Sequence, residues 1–353
     1  MKGKTIAVIP GDGIGVDVTR EALKVLRAVD DVCGAGFRFT EYDYGAERFL
    51  KTGVSLPPGA LEEFRQHDAI LMGAFGDPRI PDMKHAADIL LGTRFGLDLY
   101  ANIRPVRLLD DRLCPLKGRA RADVDFVVFR ENTEGLYVGM GGRFKKDTAE
   151  EIAIQEDVNT RRGVERIIRC AFEHARATGR KKVLMSDKSN VLTYGHDLWQ
   201  RVFAVVANEF PDIEASHMYV DALSMQMIKD PSQFEVIVTC NMFGDIVTDI
   251  GAQLQGGLGM AASGNIHPGG AAMFEPVHGS APKYAGSDRA NPMGAILTCQ
   301  MMVEHLGLEE AGRLIEQAVV SCLQSRSCTS DLGGTLGTAA TGDAVCAAIK
   351  SAR

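Results

Sequence analysis

The sequence predicts an α/β protein. Short apolar runs alternate with stretches of helical periodicity, the pattern of strands and helices interleaved along one chain. The composition, 45% hydrophobic, 24% charged and 7% aromatic, is ordinary globular usage and excludes a disordered or fibrous chain. A length of 353 residues suggests two domains or one large α/β unit. TIAVI (5–9) reads as a buried strand, and Val18, Ala22, Val25, Leu26 and Val29 form the apolar stripe of the helix after it. Further strands are expected at AILMG (69–73), DFVVFR (125–130), KKVLM (181–185), EASHMYV (214–220) and EVIVTC (235–240). Helices are expected over 160–178, 194–209, 292–306, 309–325 and 342–350. Glycine-rich stretches at 139–142, 256–270 and 333–337 punctuate the chain. None is long enough to separate independent domains, so a two-domain structure would be interwoven.

Several function classes are excluded. The net charge is −7, from 39 basic and 46 acidic residues with no long run of either sign, so no nucleic-acid-binding surface is indicated. No apolar stretch approaches the roughly 18 residues of a membrane span, and residues 1–10 lack the apolar core and cleavage site of a signal peptide. The eight cysteines (33, 114, 170, 240, 299, 322, 328, 346) show no CxxC pair and no zinc spacing. They read as reduced thiols of a cytoplasmic protein, mostly filling the core.

The first strand runs into Pro10-Gly11-Asp12-Gly13-Ile14-Gly15. A dinucleotide fingerprint needs its third glycine at position 16, which is Val16, and Asp30 and Asp31 come too early for the ribose carboxylate. A Rossmann fold is therefore rejected. By itself the loop is a tight turn into a helix.

Two clusters carry chemistry. Arg94, Arg104 and Arg130 fall near expected element ends, and three converging guanidinium forks suit a di- or tricarboxylic acid. Taken singly, each arginine reads more simply as a surface ion pair. Asp245 and Asp249, spaced i, i+4 after an apolar strand, would project from one helix face. Their repulsion is relieved by a cation, and all-oxygen ligation selects Mg²⁺ or Mn²⁺ over zinc. Asp221, after another strand, would complete such a site.

These segments together resemble the metal-dependent decarboxylating dehydrogenases of 3-substituted malates, a family that includes isopropylmalate, isocitrate, homoisocitrate and tartrate dehydrogenases. The matching pieces are IPGDGIG (9–15), the arginine pair of Arg94 to Pro105, RENTEGLY (130–137), DKSNVL (187–192), VDALSMQM (220–227), NMFGDIVTDIGAQLQGGLGM (241–260), EPVHGSAPKYAGSDRANP (275–292) and DLGGTLGT (331–338). They run in family order over nearly the whole chain. The resemblance implies a two-domain isopropylmalate-dehydrogenase-like fold, with residues 1–100 and 253–353 as the cofactor-side domain and 101–252 as an inserted substrate and dimerisation domain. It implies a homodimer with shared active sites. Arg94, Arg104 and Arg130 would bind the malate carboxylates. Asp245 and Asp249, with Asp221 from the other chain, would hold the metal and its substrate. Tyr137 and the second chain's Lys188 would carry the proton transfers. The cofactor would lie along His278, Gly279, Ser280, Ala281 and Pro282, with Lys283 beyond and Asn291 near the adenine.

The segment 84–93 would face the malate's 3-substituent. It lacks the serine and asparagine of enzymes similar to isocitrate dehydrogenase and the arginine of homoisocitrate enzymes. Leu90 and Leu91 are similar to the apolar pair around an isopropyl group, whose burial is worth roughly 1.5–3 kcal/mol. Asp88 would repel an added carboxylate. Ala87 departs from the glutamate usual in isopropylmalate enzymes, which keeps tartrate or another malate as an alternative. A non-catalytic regulatory subunit is the alternative of another class, and it would be expected to lose some of Tyr137, Lys188, Asp221, Asp245 and Asp249. The expected cofactor is NAD, with measurable use of NADP: Lys283 and Tyr284 are similar to NADP enzymes, while the Asp331 loop is similar to NAD enzymes.

Overall fold

The computed structural model describes residues 3–351. Residues 1, 2, 352 and 353, which the domain division above includes, lie outside the described residues. The chain forms two compact units, Met1–Leu99 with Arg107–Arg121 and Ala252–Arg353, and Tyr100–Val106 with Ala122–Gly251.

In the first unit the strands lie in the order Arg38–Glu41, Thr5–Gly11, Ala69–Ala74, Ala272–Pro276, Ala262–Ile266. The first four run parallel, and Ala262–Ile266 pairs antiparallel with Ala272–Pro276. Strands covered on both faces read as unbroken apolar runs, and Ile6 to Ile9 and Ala69 to Ala74 do. The predicted stripe of helix Ile14–Cys33 is fully buried at Val18, Ala22, Val25, Leu26 and Val29. That helix stops at Gly34, whose φ of 64° suits a residue without a Cβ. The antiparallel hairpin Ala262–Pro276 was not expected, because its glycines and its Asn265 read as loop.

In the second unit the strand order is Ala101–Arg107, Asp125–Glu131, Val236–Thr239, Lys182–Asp187, Glu214–Tyr219. The last four are parallel. Helices Arg161–Thr178 and Gly195–Ala207 cover them through a core that includes Phe129, Ile167, Phe172, Trp199, Phe203 and Val238. Parallel strands place ligands beyond their carboxyl ends. Arg130, Lys188, Asp221 and Asn241 all occur at or just past such ends.

Two sequence expectations change. Arg107–Arg121 is not part of the inserted unit. Arg107 holds Glu316 at 2.8 and 2.9 Å and donates its backbone N–H to Gln255 (2.9 Å), while Arg112 donates to the Leu323 carbonyl (2.6 Å). Those bonds tie the segment to the first unit. All eight cysteines are free thiols, but only Cys240, Cys299, Cys322 and Cys328 are buried. Burial pushes the Cys240 thiol up to about 12, which leaves it inert at neutral pH. Among the described residues, no helix is long and apolar enough to cross a membrane.

Candidate active site

Arg104 and Arg130 are 6% and 1% exposed, so the surface-ion-pair reading of these residues fails. Both approach one carboxylate. Arg130 Nη1 lies 2.5 Å and Arg104 Nη2 3.2 Å from Asp245 Oδ1, and the Tyr137 hydroxyl donates to Oδ2 at 2.8 Å. Further acceptors fix each guanidinium plane. Arg130 donates through Nε and Nη2 to Asn241 Oδ1 (3.0 and 2.7 Å), and Arg104 donates to Asn102 (2.7 Å) and Thr248 (2.6 Å). The Arg130 guanidinium also lies 5.1 Å over the Tyr137 ring. Gly244 makes this packing possible, because a Cβ there would come within 2.6 Å of the Arg130 side chain.

Asp245 and Asp249 do share a helix, Asn241–Leu254. Partial burial, and then the Asp245 charge, raise the Asp249 carboxyl above its ordinary value, against the pull of Arg104 and Arg130. Two carboxylates one turn apart, with one of them disfavoured as an anion, form a donor set that fits a hard divalent cation. Among the described residues no group of three His, Cys, Asp or Glu side chains gathers to hold a metal within one chain. Asp221 lies elsewhere in the same unit, where it accepts from Lys188 Nζ at 2.6 Å. The Lys188 ammonium holds the Asp221 carboxyl below the usual carboxylate range. The turn carrying Lys188 is fixed by Asp187, which accepts from the Ser189 N–H (3.1 Å), His217 Nε2 (2.8 Å) and Gln200 Nε2 (2.8 Å). Lys188 and Asp221 thus form one group, and Arg104, Arg130, Tyr137 and Asp245 another.

In the first unit Arg94, 8% exposed, holds Glu275 at 2.8 Å, and Asn265 also donates to Glu275 (2.9 Å). Ala87, Leu91 and Arg94 recur at i, i+4, i+7 on helix Lys84–Gly96 and so share a stripe. Leu90, partly buried like Leu91, packs against the core cluster that includes Ala60, Phe64 and Ile89. Asp88, expected to repel an added carboxylate, is paired within the chain: it accepts from Lys84 and from Ser55, each at 2.9 Å. In the segment His278–Pro282, Ser280 is buried and its carbonyl accepts from the Ile14 N–H at 2.8 Å, which joins it to the N-terminal glycine loop. Gly279 has open space where a Cβ would stand. Lys283 and Arg289 flank the Tyr284 ring at 4.8 and 5.4 Å, and Asn291 donates to Asp331 (2.9 Å). The sequence reading missed Asn241, Thr248 and Glu275 as partners of the arginines. Asn241 and Glu275 are polar residues at or next to strand ends among apolar neighbours, which was the available signal, while Thr248 lies within helix Asn241–Leu254 and carried none.

The isocitrate/isopropylmalate dehydrogenase family model matches residues 5–345. The chain belongs to this family. As members of it, similar proteins include the 3-isopropylmalate dehydrogenase of Thermobifida fusca, 49% identical over 97% of each chain. The 3-isopropylmalate dehydrogenase of Nocardia farcinica is 48% identical over 98% of this chain and 99% of that one. Among solved structures, an isocitrate dehydrogenase from Methylococcus capsulatus superposes with a TM-score of 0.89 at 38% identity, over 98% of this chain and 99% of the other. The family is one of dehydrogenases, so the chain is an enzyme and its two-unit α/β architecture is the family's.

Proposed function

We propose that this enzyme oxidatively decarboxylates 3-isopropylmalate to 4-methyl-2-oxopentanoate and CO₂, a step of leucine biosynthesis, with NAD preferred and Mg²⁺ or Mn²⁺ required. The observation that carries the reading is the near-full-length similarity to proteins named 3-isopropylmalate dehydrogenase. Leu91 on the stripe of Arg94 supports it by offering apolar surface toward a branched substituent.

In this reading Arg94, Arg104 and Arg130 orient the malate carboxylates. When bound, the cation supplies Lewis acidity toward the 2-hydroxyl and the nicotinamide supplies the hydride acceptor. Asp245 and Asp249, with Asp221 of a second copy, are the residues that would hold the cation. Lys188 takes the hydroxyl proton, directly or through water, and must be neutral to do so. After CO₂ leaves, Tyr137 delivers a proton to the enol carbon, and its hydroxyl is already held as a donor by Asp245.

A homodimer is part of the proposal. Phe144, Ile152 and Ile154 of the hairpin Gly141–Phe144/Ile152–Gln155, and Met225, Ile228 and Ile246 of two helices, are large exposed apolar side chains in the single chain. Such surface suits burial against a second copy. The free thiols fit a reducing compartment, and we place the enzyme in the cytoplasm. The test is cofactor reduction followed at 340 nm with Mn²⁺ and a panel of malates. The proposal stands if 3-isopropylmalate gives the highest kcat/KM. A higher value for isocitrate, homoisocitrate or tartrate reassigns the substrate, and no turnover of any of them removes the catalytic reading.

A further inference from the structure

Lys188 is the first residue beyond strand Lys182–Asp187, and its backbone N–H donates to Nδ1 of His196 at 2.8 Å. A backbone amide can only donate, so Nδ1 holds its lone pair and the neutral ring carries its proton on Nε2. That Nε2 is buried without a hydrogen-bond partner, with Asp157 Oδ2 at 3.8 Å, too far for one. His196 is 1% exposed, lies edge-on to Phe243 at 5.4 Å, and its backbone N–H closes on the Leu192 carbonyl (3.0 Å).

A bland reading makes His196 a packing residue at a helix start. An apolar side chain would pack against Phe243 equally well and would leave no orphaned N–H, which is costly when buried. What an apolar side chain cannot do is accept from the Lys188 amide. We propose that His196 is a positioning residue, whose neutral imidazole fixes the main chain at Lys188 and so sets where the Lys188 amine stands. The inference rests on Lys188 acting as the base proposed above. Protonation would put a second N–H on Nδ1, facing the Lys188 N–H, and the bond would be lost. Burial lowers the His196 pKa, while Asp157 and Asp187 on the neighbouring segments oppose this, and Phe243 faces it from helix Asn241–Leu254. The neutral, accepting ring therefore prevails at neutral pH and gives way as pH falls below the ordinary imidazole value.

The test compares His196→Leu, which removes the acceptor, with His196→Asn, whose amide oxygen stands close to the Nδ1 position and does not titrate. Expected for His196→Leu is a kcat lowered at least about tenfold with KM for the malate within about threefold, the split produced by a misplaced base rather than lost binding. His196→Asn should keep kcat within about threefold of wild type and lose the acid-side fall in kcat that a titrating imidazole imposes. Hydrogen exchange read by mass spectrometry over 186–192 should stay slow in wild type and His196→Asn and become fast in His196→Leu. Wild-type kcat and exchange in His196→Leu overturn the proposal, as does a folded His196→Asn with fast exchange. If His196→Leu does not fold, the exchange and pH profile of His196→Asn decide alone. Exchange needs no substrate, so it judges His196 even if the wild-type enzyme turns over none of the malates.

Discussion

The Lys188 ammonium lies 2.6 Å from the Asp221 carboxylate of its own chain, while Asp245 is taken up by Arg104, Arg130 and Tyr137. If Lys188 is the base and Asp221, Asp245 and Asp249 are the ligands, as proposed, this separation is the arrangement expected when Lys188 and Asp221 serve a neighbouring copy's site. Lys188→Met and Asp245→Asn should each be nearly inactive alone, Lys188→Met losing about 10²–10⁴ in kcat. Subunit exchange between them should restore some activity, because the lesions segregate into different sites and leave one intact. Verified exchange with no recovery refutes shared sites.

Tyr137→Phe keeps the ring against Arg130 and removes only the donor to Asp245. We expect kcat reduced by about 10² or more with substrate affinity retained. If Tyr137 protonates the enol as proposed, hydride transfer seen in a single turnover should survive. Loss of the hydride burst would assign Tyr137 an earlier role.

Asp245→Asn removes one carboxylate charge beside Asp249, whose own ionisation is already disfavoured. Calorimetry should show Mn²⁺ affinity in the substrate complex weakened by about tenfold or more, the loss of one ligand charge. Unchanged affinity would show that Asp245 is not a ligand.

Much of this was readable from the residues. Strand Asp125–Glu131 and helix Arg161–Thr178 follow from apolar runs and periodicity, since burial on both faces leaves a strong pattern. The i, i+4 aspartates gave one helix face, and the structure supplies that helix. What could not be read is burial by distant partners. Arg94 looks like a surface cation until Glu275, far along the chain, is brought against it. Strand Ala262–Ile266 was hidden because its Ser263, Gly264 and Asn265 have poor strand propensity, overridden by complete burial and by bonds such as Ser263 Oγ to the Glu275 carbonyl. Likewise Leu90 and Leu91 look equivalent in sequence, and only packing separates them.

That separation makes a prediction about specificity. Leu91→Ala should lower kcat/KM for 3-isopropylmalate by about 10- to 100-fold, the burial value of a branched apolar contact, with little change for unsubstituted malate. Leu90→Ala should instead lower stability, by less than the about 2–5 kcal/mol of a fully buried leucine, because Leu90 is only partly buried. A Leu91→Ala enzyme with unaltered discrimination would place the isopropyl group elsewhere.

For the cofactor, Lys283→Asp should widen the preference for NAD over NADP. The lysine is exposed and pairs with the Tyr284 ring rather than with a carboxylate, so its contribution to a 2′-phosphate is about 1 kcal/mol. Arg289 adds a second cation at the same ring, and Lys283→Asp/Arg289→Ala should go further than either change. Steady-state kinetics with both cofactors decide it. A wild-type kcat/KM at least about tenfold higher for NADP would reverse the assignment.

Arg94, Arg104 and Arg130 are already matched to carboxylates of the chain itself, Glu275 and Asp245. A dicarboxylate bound by these arginines, as proposed, would not rescue stranded cations; it would compete with resident anions for the same forks. Recognition of the malate core then becomes an exchange of partners with a small net gain, however many ionic contacts it makes. Discrimination is left to whatever has no resident competitor. If Leu91 meets the 3-substituent as proposed, that side of the substrate has none, and there a change of one methyl group can outweigh a salt bridge.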